Sequence, residues 1–432
     1  MPHSELPRPV FADARGRLHT ASDLCAVGRS GWEIWELADD DLIPLPPGSD
    51  LFYAVGRIPL AMNPRTGELE EIHPASKSSK TFPVAAILPI GFTRLFLPAW
   101  QRENDICLPL FGYTAVASLD GELVVAACQT DDSHRWNPLN YDSSELPRLV
   151  DGFKAKFRGN RIVEQLGRCA IEYHCLTARN LFYRRWEAGI PISPVCNAHC
   201  LGCISLQESE CCPAPQSRIS FLPTVDEIVE VAVDHLENAE DPIISFGQGC
   251  EGEPLLRGED LVEAVYRIRR RTPRGSININ TNGSNPKLVK RLAECGLDSM
   301  RVSLLSANDE SYARYHRPEG YTLSDVFESI RVAGELGVFV SLNLLLMPGF
   351  TDQEAEAEAL FRLLDDLPVG MVQLRNLNLD PDVFFDTMSQ EAAGGIGVKE
   401  LIDRLRSRYP NLRVGSFTPP VHQRTVRVGG AE

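Results

Sequence analysis

From residue 190 onward, short apolar runs alternate with segments of helical period. Residues 190–195 and the run Pro242-Ile243-Ile244-Ser245-Phe246 read as strands, and Ser276-Ile277-Asn278-Ile279-Asn280 alternates with period two. Residues 300–304, 339–346 and 370–374 supply three more strands. Helical segments fall between them. Thr224-Val225-Asp226-Glu227 is a capping box, followed by Ile228, Val231, Ala232 and Leu236 at helical spacing. Residues 261–271 form the next helix. Asn285-Pro286 opens another, with asparagine as cap and proline at the first turn, and Gly296 closes it. Val326, Ile330, Ala333 and Leu336 line a helix that stops at Gly337. Thr351-Asp352-Gln353-Glu354 reads as a second capping box before Leu360, Leu363 and Leu364. A last helix spans 398–408, and a strand-like tail follows. Six strand–helix units in a row predict an α/β domain on a parallel sheet, open or closed.

The first 150 residues follow a different pattern. Short alternating stretches such as Gly31-Trp32-Glu33-Ile34-Trp35 and Leu123-Val124-Val125-Ala126 are separated by turn signals such as Asp120-Gly121. This region reads as β-rich. Residues 161–187 are helical in composition, with no proline and only Gly167 as a glycine. The expected division is therefore a β-rich domain over 1–150, a helical bridge over 151–189, the alternating domain over 190–380, and a C-terminal helix and tail over 381–432.

Composition narrows the class. The chain has 432 residues, 43% apolar and 24% charged, which excludes a disordered or low-complexity protein. Its 43 basic and 59 acidic side chains leave a net charge of −16, which argues against a sequence-independent grip on nucleic acid. No run reaches the ~18 apolar residues of a membrane helix, and the first residues lack a secretory pattern. A cytoplasmic protein without membrane contact is expected. In a reducing compartment the 12 cysteines point to metal or catalysis rather than to disulfides.

Three of these thiols cluster in Cys196-Asn197-Ala198-His199-Cys200-Leu201-Gly202-Cys203, in the loop after the first strand. Iron–sulfur clusters are usually held by four thiolates, so three leave one iron free to bind a small molecule. A structural zinc held by Cys200, Cys203, Cys211 and Cys212 is the other reading of the spacing. The remaining strands end in polar or glycine-rich loops. These are Gly247-Gln248-Gly249-Cys250-Glu251-Gly252-Glu253-Pro254, Thr281-Asn282-Gly283, Ser303 to Ser306, Met347-Pro348-Gly349 and Arg375-Asn376-Leu377-Asn378. In a barrel of parallel strands these loops open on one face, where active sites lie, together with the cysteine triplet.

On these residues, over about 190–380, the chain resembles the radical S-adenosylmethionine (SAM) enzymes. The triplet matches their Cys-x3-Cys-x2-Cys motif. Gly252-Glu253-Pro254 is similar to their Gly-Gly-Glu-Pro, with Glu251 in place of the first glycine. Thr281, Asn282, Gly283 and Ser303 match the polar loops of the third and fourth strands. The resemblance implies a partial (β/α)6 TIM-like barrel. It also implies a [4Fe-4S] cluster on Cys196, Cys200 and Cys203, and SAM bound at its open iron. Reductive cleavage of SAM would give a 5′-deoxyadenosyl radical that abstracts hydrogen from a substrate. Gly252, Glu253 and Pro254 would meet the methionine amino group. Thr281, Asn282 and Ser303 would contact ribose and carboxylate. Gly202 would leave room beside the adenine, and the turn at Met347 would close over it. A reductant such as flavodoxin or ferredoxin is implied as partner.

Other residues have plainer readings. Cys250 is a substrate-facing or a packed thiol, and Cys169, Cys175 and Cys295 read as packing. His199 reads as an exposed loop residue. Tyr312, Tyr315 and Arg317 read as a packed helix face, with lining of the mouth as the alternative, and Arg375, Asn376, Asn378 and Asp380 as candidate substrate or SAM contacts. The basic run 267–274 ends a helix, where the dipole favours cations. No cysteine follows Cys295, which disfavours members with auxiliary clusters that mature peptides. The substrate, a small molecule or a protein, is left open. The competing class is a zinc or iron–sulfur protein that serves structure or electron transfer.

Overall fold

The computed structural model describes residues 6–73, 80–132, 137–141, 143–207, 213–388, 395–420 and 424. The alternating region forms one parallel sheet of seven strands in sequential order, among the described residues. They are Arg185–Gly189, Glu240–Phe246, Ser276–Thr281, Ser299–Leu304, Phe339–Leu346, Met371–Asn376 and Arg413–Gly415. Helices on the outer face bury their apolar stripes against this sheet and join it in the largest hydrophobic core. The result is a partial barrel with all strand C-termini on one side. The strand-like tail supplies the seventh strand, with Val414 paired to Val372.

The first strand lies five residues earlier than the apolar pattern suggests. It spans Arg185–Gly189, and the run 190–195 is irregular. Pro191 and Pro194 remove two N–H donors from that run, so it cannot continue a ladder. The bridge is three helices, Leu146–Lys156, Arg161–Ile171 and Leu176–Tyr183. Its break falls at His174, whose φ is +53°, and Cys175, which caps the third helix. The Thr224 capping box forms as expected. The one expected at Thr351 does not, and the helix Glu354–Asp366 starts from Gln353 instead. Thr351 and Asp352 close the preceding turn, accepting from the backbone N–H groups of Met347 (2.7 Å) and Gly349 (2.6 Å).

The N-terminal region is all β among its described strands. Eight strands form one sheet, in which Arg8–Asp13 pairs with both Tyr113–Leu119 and Thr81–Ile87. Val10, Ala12, Val84, Val116 and Val125 fill a small core of their own. Two three-stranded sheets, one built on Val27–Ser30 and one on Arg57–Met62, lie beside it.

This region is joined to the barrel by buried polar contacts. Arg57 pairs with Asp380 (3.0 Å) and Asp382 (2.8 Å), and Arg29 pairs with Asp382 (2.7 Å). Arg94 donates to the carbonyls of Leu346 (2.9 Å) and Leu377 (3.0 Å) at the ends of the fifth and sixth strands. Asn376 donates to the Phe92 carbonyl at 3.0 Å. No helix among the described residues is long and apolar enough to cross a membrane. The basic run serves the fold: Arg267 and Arg269 pair with Asp226 and Asp298.

Candidate active site

The cysteine loop crosses the open end of the barrel and is clamped on both flanks. On one side Gly252 N–H donates to Ser193 O (2.7 Å) and Glu253 N–H to Val195 O (2.8 Å). The approach is so close that a Cβ on Gly252 would lie 2.0 Å from the Val195 oxygen, so only glycine fits. On the other side His199 N–H donates to His316 O (3.0 Å), Leu201 N–H to Tyr315 O (3.1 Å) and Glu319 N–H to Asn197 O (2.9 Å). The Asn282 amide adds a bond to Asn197 Oδ1 at 2.8 Å.

The three thiols are half-buried and feel one another. Burial, reinforced by Glu253, pushes Cys196 up to about 11. Burial and then the neighbouring Cys203 and Cys196 push Cys200 higher still. Burial acts the same way on Cys203, but the Ser205 backbone and hydroxyl, the Leu206 N–H and Arg218 hold that thiol below its ordinary value. The Cys200 sulfur lies 3.3 Å from His316 Nδ1, and Arg218 Nη2 lies 3.5 Å from the Cys203 sulfur. Among the described residues no three His, Cys, Asp or Glu side chains enclose a common point at metal-ligand distance. The donor chemistry nonetheless fits an iron–sulfur cluster, because three soft sulfurs sit in one short loop with N–H donors aimed at two of them.

Glu251, the departure from the family motif, ties two loops together. Its carboxylate accepts from Ile192 N–H (2.7 Å) and Ser193 N–H (3.0 Å) before the triplet. It also accepts from Gly247 N–H (2.5 Å) and Gln248 N–H (3.3 Å) after the second strand. Burial pushes it up to about 8, against the opposing pull of those four donors. Replacing Glu251 with alanine leaves four backbone N–H groups without this partner. The expected loss of folding stability in urea is about 2–3 kcal/mol. A loss below about 0.5 kcal/mol would show that the carboxylate is not what holds the loops together.

Glu253 is likewise a brace. Its carboxylate accepts from Thr281 Oγ1 (2.6 Å), Asn282 N–H (2.8 Å) and Leu255 N–H (3.0 Å). Burial pushes it up to about 7. Pro254 starts the short 3-10 turn Pro254–Arg257 that follows. These residues join the second and third loops, and Glu253, Pro254, Thr281 and Asn282 do not line the cavity beside them.

That cavity measures about 590 Å³, within the usual range for small-molecule sites. Of the expected residues, Cys200, Cys203, Gly202, Gly252 and Ser303 reach its wall, as do Arg375, Asn376 and Asn378. Its inner end is polar. Arg301 pairs with Glu187 (2.7 Å) and donates to Asn280 (3.1 Å) and Thr418 (2.6 Å). Among the described residues Arg375 donates to the amide oxygens of Asn343 (2.9 Å) and Gln373 (2.8 Å), with the Glu187 and Asp131 carboxylates close enough to act on its charge. Burial lowers Arg375 to about 10, so it is charged at neutral pH. The β-rich region contributes residues 87–92 and Gly112 to the wall, and the tail contributes 416–418.

Three of the expected residues have close protein neighbours. The Met347 turn is not free to close over a ligand. Met347 is fully buried, Gly31 N–H donates to Pro348 O at 3.0 Å, and a Cβ on Gly349 would lie 1.7 Å from Gly31 N. The turn is a docking point for the β-rich region. Gly202 lies on the cavity wall, and a Cβ there would lie 2.9 Å from Tyr315 Oη. Asp380 points to Arg57 and to Leu108 N–H (2.9 Å) rather than to the cavity.

Tyr315 lines the cavity, the alternative to a packed helix face that its sequence position left open, and His316, which the sequence did not single out, lines it too. His199 stays half-exposed, 3.2 Å from Glu319. Cys250 is a packed thiol hydrogen-bonded to Cys169. Cys211 and Cys212 lie outside the described residues.

Residues 190–361 match the family model of the radical SAM superfamily. The GTP 3′,8-cyclase of Lactiplantibacillus plantarum is 30% identical over 196 residues, covering 42% of this chain and 54% of that protein. Molybdenum cofactor biosynthesis protein 1 of Mus musculus is 28% identical over 226 residues, 52% of this chain and 32% of that protein. The chain thus spans about half the length or less of these relatives. The FeFe-hydrogenase maturase HydG from Carboxydothermus hydrogenoformans aligns in structure at 16% identity and a TM-score of 0.36, covering 65% of this chain and 73% of that one.

Proposed function

We propose that this chain is a radical SAM enzyme, on the match of residues 190–361 to that family model, that Cys196, Cys200 and Cys203 bind its [4Fe-4S] cluster and that a small molecule is its substrate. When bound, the reduced cluster and SAM supply a carbon-centred radical that takes a hydrogen atom from substrate. The observation that carries the reading is the single cavity wall shared by Cys200, Cys203, Gly252 and Ser303 with Arg301, Asn343 and Arg375. The clamped loop fixes the thiols, and the Gly252 backbone gives close access beside them. Residues 87–92 cover the cavity from the β-rich side, which limits water at the reacting atoms.

The name of the Lactiplantibacillus plantarum relative, GTP 3′,8-cyclase, gives a second reading of the substrate. Arg375 favours it, as a cation on the wall whose own hydrogen bonds go to amide oxygens rather than to a carboxylate, which suits an anionic ligand.

One anaerobic experiment tests both readings. Protein reconstituted with iron and sulfide should turn brown and release 5′-deoxyadenosine from SAM after reduction by dithionite or flavodoxin. A colourless protein with stoichiometric zinc would overturn the cluster assignment. GTP added to the same reaction should be consumed if the second reading holds. SAM cleavage with GTP untouched would retain the enzyme class and remove the nucleotide.

A further inference from the structure

The helix Asp309–His316 ends against the cysteine loop, and its last side chain stands beside a proposed cluster ligand. His316 is buried. Its ring stacks on Tyr312 at 4.4 Å and 29°, and meets Tyr315 edge-on at 4.8 Å and 83°. The Leu305 backbone N–H lies 3.2 Å from Nε2. A backbone N–H can only donate, so Nε2 must be the unprotonated nitrogen of a neutral ring. The ring hydrogen is therefore on Nδ1, and Nδ1 lies 3.3 Å from the Cys200 sulfur. Backbone bonds from His199 and Leu201 to the carbonyls of His316 and Tyr315 hold the two segments together, so the donor and the sulfur move as one unit.

We propose that His316 is a fixed N–H donor to the Cys200 sulfur and raises the reduction potential of the cluster bound there. The proposal rests on Cys200 being a cluster ligand. Hydrogen bonds to ligand sulfurs are among the levers that set cluster potentials. A reduced cluster carries more negative charge on its sulfurs, so a donor stabilises the reduced form more than the oxidised one. The orientation of the donor is set from outside the site, by Leu305 and the two tyrosine rings, as outer partners set metal ligands. Arg218 near Cys203 is a second donor, but it is half-buried and borders the loop edge, whereas His316 is enclosed. His316 is thus a positioning residue that acts through Cys200.

The test uses the full chain, reconstituted anaerobically, in a redox titration read by absorbance and EPR. His316→Phe keeps an aromatic ring but removes the donor. At equal iron content its ratio of reduced to oxidised cluster at a fixed potential should fall about tenfold, a shift of about 59 mV to lower potential. His316→Gln restores a side-chain N–H and should recover part of the shift. A measurement on the unaltered protein does not depend on either variant folding. With 15N-labelled histidine, pulsed EPR of the reduced cluster should show a 15N coupling. A fully loaded His316→Phe protein with unchanged potential, or no 15N coupling in the unaltered protein, would overturn the proposal. An unaltered protein that binds no iron would instead overturn the ligand assignment, and this proposal with it.

Discussion

Replacing Cys196 with alanine should take the iron content from about four per chain to near none, and 5′-deoxyadenosine formation to below about one-hundredth of the unaltered protein. Outer partners of metal sites are each worth about 10–100-fold in affinity, and a lost thiolate removes a ligand itself. The loop keeps its place in the variant, because its clamps are backbone bonds to Ser193, Val195, Asn197, His199 and Leu201, none through the Cys196 side chain. The loss therefore reports ligation rather than misfolding. Cys196 is the discriminating position of the three. A zinc held by Cys200, Cys203, Cys211 and Cys212 would not need it. Iron and sulfide analysis, metal analysis for zinc, and chromatography of the nucleoside product read the outcome. Cys295→Ala, at the end of the helix Pro286–Glu294, serves as the control with full iron. Full iron in the Cys196 variant would remove it from the ligand set.

Local signals made most of the barrel legible. The strand Phe339–Leu346 and the helix Val398–Arg408 have the bounds their periodicity suggests. Thr224 and Asn285 cap their helices as their sequence chemistry predicts. Those signals act within a few residues, which is why one sequence suffices to read them. The first strand was hidden because Arg185 and Glu187 make it look like the end of a helix. Glu187 is tolerated inside the barrel because Arg301, 114 residues later, neutralises it at 2.7 Å. No local pattern announces a pairing at that separation.

The site follows the same division. The cysteine spacing is local and was legible, as was the glycine at 252. The use of each loop residue was not. Glu253, Thr281 and Asn282 belong to the expected motifs, yet they bond one another and brace the loops from behind the cavity wall. His316 and Tyr315 reach the wall because residues 315–319 pair with 197–201, a contact across more than 110 residues. The β-rich region's part in the cavity was equally invisible, because its anchors join Arg29, Arg57 and Arg94 to residues beyond 345.

Those anchors give the second large effect. Replacing Asp382 with alanine should lower folding stability by about 3–5 kcal/mol at pH 7. The carboxylate accepts from Arg29 Nη1 (2.7 Å), Arg57 Nε (2.8 Å) and Trp100 Nε1 (3.0 Å), and all four residues are buried. Arg57 retains Asp380 in the variant. Among the described residues Arg29 has no second carboxylate, and its Nε and Nη2 have no hydrogen-bond partner. A buried guanidinium left without a counter-charge is what makes the loss large. Burial alone would raise the Asp382 carboxyl, but Arg29, Trp100 and Arg57 outweigh it and hold it below its ordinary 3.8. A carboxyl whose folded pKa is depressed stabilises the fold above its unfolded pKa, and that stabilisation is lost as pH falls through the folded value. The unaltered protein and the variant should therefore differ fully at pH 7 and converge below about pH 4. Asp380 beside it is shifted upward by burial, the opposite sign, so the comparison is made between the two proteins rather than on one acid curve. Urea unfolding at several pH values measures the difference, and a gap under about 1 kcal/mol at pH 7 would contradict the account. Residues 87–92 of the β-rich region line the cavity, so loosening these anchors should also admit water to it. The expected signature is a variant with full iron content and unfolding that begins in the N-terminal sheet, because among the described residues the backbone bonds that clamp the cysteine loop come from the barrel side.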